Sequence, residues 1–136
     1  LFDLIKNGTP TIDISGFPDL GPILIALSAA KNGATFIGTR RLKIKESDRA
    51  SAMAMELKKL NIALDVYENE VIVHKSEPKR PTEILFSHDD HRIVMALSIL
   101  LTHFGGVING CEAVSKSYPG FFEDIAKLGI RSFVLK

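Results

Sequence analysis

The 136 residues, with 46% apolar, 24% charged and 7% aromatic side chains, have the composition of a globular domain and exclude a disordered, collagenous or disulfide-stapled chain. Seventeen Lys and Arg against 16 Asp and Glu leave a net charge of +1, which supplies no global field for nucleic acid or a membrane surface. Any anion site must therefore be a local cluster.

Leu1 to Ile5 reads as the end of a strand whose partner lies elsewhere. The opening at Leu1 without Met leads us to expect a fragment or a processed piece. Thr11 to Ile14 is a short strand. Pro18 to Lys31 is a helix apolar nearly all round (Leu20, Ile23, Leu24, Ile25, Leu27), hence buried, and Asn32-Gly33 ends it. Ala34 to Gly38 is the next strand. A second helix runs from about Glu46 to Leu60, with Ala50, Met53, Leu57 and Leu60 on its apolar stripe and Glu56, Lys58 and Lys59 off it. Ala63 to Tyr67 and Val71 to Lys75 form a hairpin across Glu68-Asn69-Glu70.

Ser76 to Pro81, with two prolines and several charges, is a linker. The pattern then restarts: strand Glu83 to Phe86, helix Asp90 to Phe104, strand Val107 to Gly110, helix Pro119 to Leu128, strand Arg131 to Leu135. Matching residues recur at nearly constant offsets: Asp19 lies 71 before Asp90, and Lys45 lies 71 before Lys116. We expect an α/β chain made of a duplicated unit, 11–75 and 82–136, around the linker 76–81. The longest apolar stretch, Ile93 to Leu101, falls far short of the ~20 residues of a membrane span. No basic-then-apolar leader points to secretion. Cys111 is the single cysteine, so a reducing cytoplasm is the expected setting.

Four polar clusters fall where a strand gives way to a helix: Pro18-Asp19, Lys45 to Arg49, Ser87 to Arg92, and Ser115 to Pro119. Helix starts present unpaired N–H groups and a positive dipole end, so adding Lys45, Arg49, Arg92 and Lys116 there makes sites for phosphate or carboxylate groups. Each cluster also has an ordinary explanation. Asp19, Ser47 and Asp90 are good helix N-caps, and Lys45 to Arg49 is also explained as a self-paired solvated turn. Their repetition at corresponding positions favours a shared rim. His88-Asp89-Asp90-His91 has metal-ligand types, but Arg92 beside it would repel a cation, so no metal is expected. His74 and His103 look like partnerless surface residues. No glycine-rich phosphate loop is present.

At these clusters the sequence resembles the C-terminal half of the 5-enolpyruvylshikimate-3-phosphate synthase family. The match is carried by Phe17-Pro18-Asp19-Leu20, by Arg41 to Arg49 (Arg-Leu-Lys-Ile-Lys-Glu-Ser-Asp-Arg), by Ser87 to Ala96, and by Lys116-Ser117-Tyr118-Pro119-Gly120-Phe121-Phe122. Asp89 and Gly120 depart from the family's usual residues. The resemblance implies a monomeric two-domain enzyme, each domain built from three βαβαββ units, of which this chain holds about two from the C-terminal domain. It implies transfer of the enolpyruvyl group of phosphoenolpyruvate to the 5-hydroxyl of shikimate 3-phosphate with release of phosphate, without cofactor or obligatory metal.

By position, the resemblance makes Asp19 the holder of the shikimate hydroxyls and a candidate base. Lys45 falls on the shikimate side. Glu46 becomes the carboxyl that moves a proton to and from the phosphoenolpyruvate methylene. Arg49, Arg92 and Lys116 become a cationic clamp for phosphoenolpyruvate, with His91 beside it. Because the family's site is shared with an N-terminal domain, the isolated chain is expected to be inactive. The alternative is a non-catalytic anion-binding module, for instance one contacting nucleic acid, against which the low charge and few aromatics count.

Overall fold

The computed structural model describes residues 1–135, beginning with α1 (Phe2–Asn7), a short helix where a strand is expected. Asp3 in its first turn and Lys6 in its last suit the helix dipole, and Ile5 anchors it in the core. β1 (Thr11–Asp13) and β2 (Ala34–Ile37) are parallel, Thr11 opposite Thr35 and Asp13 opposite Ile37. Parallel neighbours require a crossover, and α2 (Gly21–Ala29) provides it after a 3-10 turn at Pro18–Leu20. α2 buries Leu24, Ile25, Ala26 and Ala29, as its all-round apolarity predicts. Gly33 closes the turn that follows: its N–H donates to Ser28 O at 2.8 Å with φ +80°, and a Cβ there would clash with Val73 O.

A 3-10 segment, Arg40–Ile44, leads toward α3 (Arg49–Lys58). α3 starts at Arg49 and not near Glu46, because Asp48 is the N-cap in place of the expected Ser47; its carboxylate accepts the Ser51 N–H at 3.1 Å. Ala50, Met53 and Leu57 are buried as expected, with Leu60 just beyond. Glu56, expected off that stripe, is 0% exposed. It follows Arg49 by about two helical turns and so shares its face. β3 (Leu64–Val66) and β4 (Glu70–Val73) form the expected hairpin, completing a mixed sheet in the order β1-β2-β4-β3. His74 does have a partner: its Nε2 lies 2.7 Å from Asp65 Oδ2.

Residues 76–81 carry neither helix nor strand. Beyond them β5 (Leu85–Phe86) and β6 (Ile108–Asn109) pair in parallel, with α4 (His91–Phe104) between them. Asp90 is the N-cap of α4, accepting the Arg92 N–H at 2.9 Å. A 3-10 segment, Cys111–Lys116, precedes α5 (Phe121–Ala126), shorter than expected because Pro119 and Gly120 remain outside its start. The strand expected over residues 131–135 is not formed; Phe133, Val134 and Leu135 are exposed, so no packed face stabilises a pairing there. The second half therefore shows only β-α-β-α among the described residues. Lys136, the last residue of the expected unit 82–136, lies outside them.

The two halves share one core, in which Ile12, Leu24, Phe36, Met53 and Leu57 meet Leu85, Ile93, Leu97 and Leu100. Helices α2 and α4 pack directly on each other. A smaller cluster of Val94, Ala113, Val114, Phe121 and Ile125 seats α5, with the half-buried Cys111 packed against it as a small apolar residue. None of the helices described is long and apolar enough to cross a membrane.

Candidate functional site

Packing the halves on one core brings the starts of α2, α3 and α4 together, and a single arginine marks the meeting point. Arg49, the first residue of α3, is 1% exposed. Its Nε donates to Asp90 Oδ2 at 2.8 Å, one terminal nitrogen donates to Asp19 Oδ1 at 3.0 Å, and the other donates to Glu46 Oε2 at 2.6 Å and Asp90 Oδ1 at 3.3 Å. Asp19 comes from the 3-10 turn before α2, Glu46 and Arg49 from the approach to α3, and Asp90 from the cap of α4. Lys45 Nζ adds a contact of 3.3 Å to Asp19 Oδ1, and the Ser47 hydroxyl donates to Asp90 Oδ2 at 2.8 Å.

Burial alone would favour the neutral form of each group, and the pairing reverses this. Burial pushes the Asp90 carboxyl up, but hydrogen bonds from Arg49, Ser47 and the Arg92 N–H bring it below the ordinary aspartate range. Asp19 is likewise pushed up by burial and brought below that range by the Lys45 hydrogen bond and charge, with smaller help from Arg49 and the charge of Arg92. Burial would weaken the proton hold of Arg49, yet Asp90, Glu46 and Asp19 raise it above the usual arginine value. Asp19 and Glu46 are about half exposed, so one side of the cluster meets solvent.

Arg92 and Asp19 line a cavity of about 230 Å³ whose apolar wall includes Ile23 and Met95. Arg92 Nε is buried without a hydrogen-bond partner among the described residues. Lys116, at the end of the 3-10 segment before α5, donates to Asp89 O at 2.7 Å and contacts Asp89 Oδ1 at 3.0 Å, which sets it one residue from Asp90. His91, the first residue of α4, is buried, and among the described residues its Nδ1 has no hydrogen-bond partner and it takes no part in the Arg49 network. The structure thus joins Asp19, Lys45, Glu46 and Arg49 directly. It sets Arg92 on the adjoining cavity and Lys116 at the neighbouring loop, and it leaves His91 outside the hydrogen-bond network. Asp19 makes no side-chain cap to a helix.

Two residues of this region escape sequence reasoning. Asp90 is an N-cap, as expected, and it is also the main partner of Arg49 from 41 residues away. Glu56 lies fully buried behind the cluster, with Lys59, Phe86 and His88 around it. Its seven-residue spacing from Arg49 is the signal that could have revealed it. Among the described residues no group of three His, Cys, Asp or Glu side chains gathers at metal-binding distance.

The mixed helix-and-strand architecture is that of the enolpyruvyl transferases: the crystal structure of the enolpyruvyl transferase NikO from Streptomyces tendae superposes over 94% of this chain and 30% of its own, at a TM-score of 0.72 with 22% identity. The family model for EPSP synthase (3-phosphoshikimate 1-carboxyvinyltransferase) matches residues 5–125, and the chain belongs to that family. A 3-phosphoshikimate 1-carboxyvinyltransferase of Clostridium kluyveri is 43% identical over 127 residues, covering 91% of this chain and 30% of the relative. That of Clostridium acetobutylicum is 45% identical over 121 residues, covering 87% and 28%. An EPSP synthase structure from Acinetobacter baumannii matches at a TM-score of 0.71 and 31% identity over 83% of this chain and 27% of its own. The chain spans less than a third of the length of these relatives.

Proposed function

We propose that the chain is part of the C-terminal domain of a cytoplasmic, monomeric 3-phosphoshikimate 1-carboxyvinyltransferase, holding about two of that domain's three repeat units (11–75 and 82–136). In this reading it contributes one wall of a site that moves the enolpyruvyl group of phosphoenolpyruvate to the 5-hydroxyl of shikimate 3-phosphate. The observation that carries it is the Arg49 cluster, in which acids and bases from three helix starts converge beside a cavity lined by Arg92. Phosphoenolpyruvate is multiply anionic, so its pocket needs several fixed cations, and Arg49, Arg92 and Lys116 form that clamp. His91 stands beside it.

Lys45 serves the shikimate side. Asp19, held ionised by Lys45 and Arg49, accepts hydrogen bonds from the shikimate hydroxyls. Its lowered pKa makes it a weak base while both cations are on it. An arriving anionic substrate competes for those cations and restores its basicity toward the 5-hydroxyl. Glu46, half exposed at the cluster's open side, delivers a proton to the methylene carbon as the alcohol adds, and takes one back as phosphate leaves. The N-terminal domain completes the site, no cofactor or metal takes part, and the chain alone does not turn over.

The test is a chimera in which this chain replaces the matching segment of the Clostridium kluyveri enzyme. It should release phosphate from the two substrates, and Glu46→Gln should slow that release by roughly 100-fold or more. A folded chimera without activity, or full turnover by the isolated chain, would overturn the proposal.

A further inference from the structure

Among the described residues β5 has one strand beside it, β6. On the β6 side, the Leu85 and Ser87 N–H groups donate to Val107 O and Asn109 O at 2.9 and 3.0 Å. Residues of the opposite parity turn their backbone groups away from β6. There the Phe86 N–H donates to both Glu56 carboxylate oxygens, at 3.2 and 3.3 Å, and Ile84 O accepts from Lys59 Nζ at 3.0 Å. Lys59 in turn donates to the same carboxylate at 2.7 and 3.0 Å and lies 4.6 Å from the centroid of the Phe86 ring. One acceptor for an N–H and one donor for a C=O are what an adjacent strand would offer. An ion pair at the C-terminal end of α3, Glu56 with the C-cap residue Lys59, fills that place.

Burying a glutamate completely is costly unless it is paired and hydrogen-bonded, and a plain apolar contact could have joined α3 to β5 at less expense. What the glutamate adds is direction. β5 runs straight into His88 and Asp89, which both adopt left-handed backbone at φ +53° and +54°, uncommon for residues with side chains. Glu56 Oε1 lies 3.6 Å from His88 Nε2. Lys116 holds Asp89, and the next residue is Asp90, which meets Arg49. α3 therefore grips this segment twice, with Arg49 on Asp90 and Glu56 on Phe86, while His88 Nε2 makes no hydrogen bond among the described residues.

We infer that Glu56, together with Lys59, is a positioning residue: the pair substitutes for a strand neighbour on β5 and so sets Asp90 against Arg49 and Arg92 on the adjoining cavity. Among the described residues its hydrogen bonds go to Lys59 and Phe86 and not to Arg49, Asp90 or Arg92, so it acts through the segment it holds. The consequence for phosphoenolpyruvate rests on the proposed function; the positional claim does not.

Two variants of the whole chain decide this. Glu56→Gln keeps an acceptor for the Phe86 N–H but loses the ion pair, and Glu56→Leu loses both at similar volume. In Glu56→Leu the amide resonances of Asp90, His91 and Arg92 shift and hydrogen exchange at the Phe86 amide accelerates. Phosphoenolpyruvate affinity falls about fivefold or more, measured well below the unfolding midpoint. Glu56→Gln recovers part of each change, and because all readings are taken well below the unfolding midpoint they report the folded state and not its population. The inference is overturned if folded variants leave those resonances in place and the affinity within about twofold of the parent, whatever happens to Tm. Should Glu56→Leu fail to fold, Lys59→Met gives the same readings, since it removes the ion pair and the Ile84 contact. Failure of the parent chain to bind phosphoenolpyruvate would defeat the proposed function and leave this inference to be judged on the resonances and the exchange.

Discussion

Arg49 can stay charged inside the protein because its hydrogen bonds reach three carboxylates, and those carboxylates depend on it in return. Removing it strands Asp90, which is fully buried. Arg49→Met should therefore cost about 3–5 kcal/mol in denaturant unfolding. Arg49→Met with Asp90→Asn should cost clearly less than the two single changes added, because the second removes the stranded charge; strictly additive losses would show that the two do not act as a pair. Asp90 also predicts an acid dependence. Its folded pKa lies below its ordinary value, so its contribution is complete above the unfolded value near ~3.9 and disappears as pH falls through the folded value. The unfolding free energy should decline below about pH 5. Asp90→Asn should flatten that decline, and an unchanged slope would remove Asp90 from the account.

At this scale much was legible. Asp19, Lys45, Glu46 and Arg49 stand out because charged residues crowd each strand-to-helix junction. Glu56 was not legible, because its neighbours Lys58 and Lys59 make it look like part of a solvated face. The reason for its burial, the open edge of β5, is a tertiary neighbour that no local pattern contains.

Among the elements, α2 and α4 matter most, since their contact fuses the two halves and aligns the helix starts. Leu97, fully buried on α4, belongs to the core shared with Leu24 and Met53. Leu97→Ala should cost about 2–5 kcal/mol. It should leave one cooperative transition observed by far-UV circular dichroism and by fluorescence from an extrinsic core probe alike; two separate transitions would mean that the halves fold independently. The alternation of short strands with apolar helices was readable from periodicity, and β1, α2, β2, β3, β4, β5, α4 and β6 follow it closely. The misread pieces lie where local apolarity had no partner to act on. Residues 131–135 have strand-forming side chains but expose Phe133, Val134 and Leu135. Residues 2–7 are equally apolar, and form α1 because Ile5 docks as a helical side chain while Asp3 and Lys6 suit its ends.

For the molecule as a whole, packing on one core explains why charged groups far apart in sequence meet: the starts of α2, α3 and α4 face one place. Asp19 and Asp90, 71 residues apart, both bind Arg49. The chain spans about 30% of the Clostridium kluyveri relative. Under the proposed function it supplies one wall of the site, and anion recognition should already be present in it. The most direct measurement is calorimetric titration of phosphoenolpyruvate into this chain, into Arg92→Ala, and into Arg40→Ala, whose exposed side chain pairs with Glu68 at 3.8 Å. The account predicts measurable binding by the parent, a loss of about tenfold or more in Arg92→Ala, and no change in Arg40→Ala. Equal affinity in all three, or no binding by the parent, would contradict it.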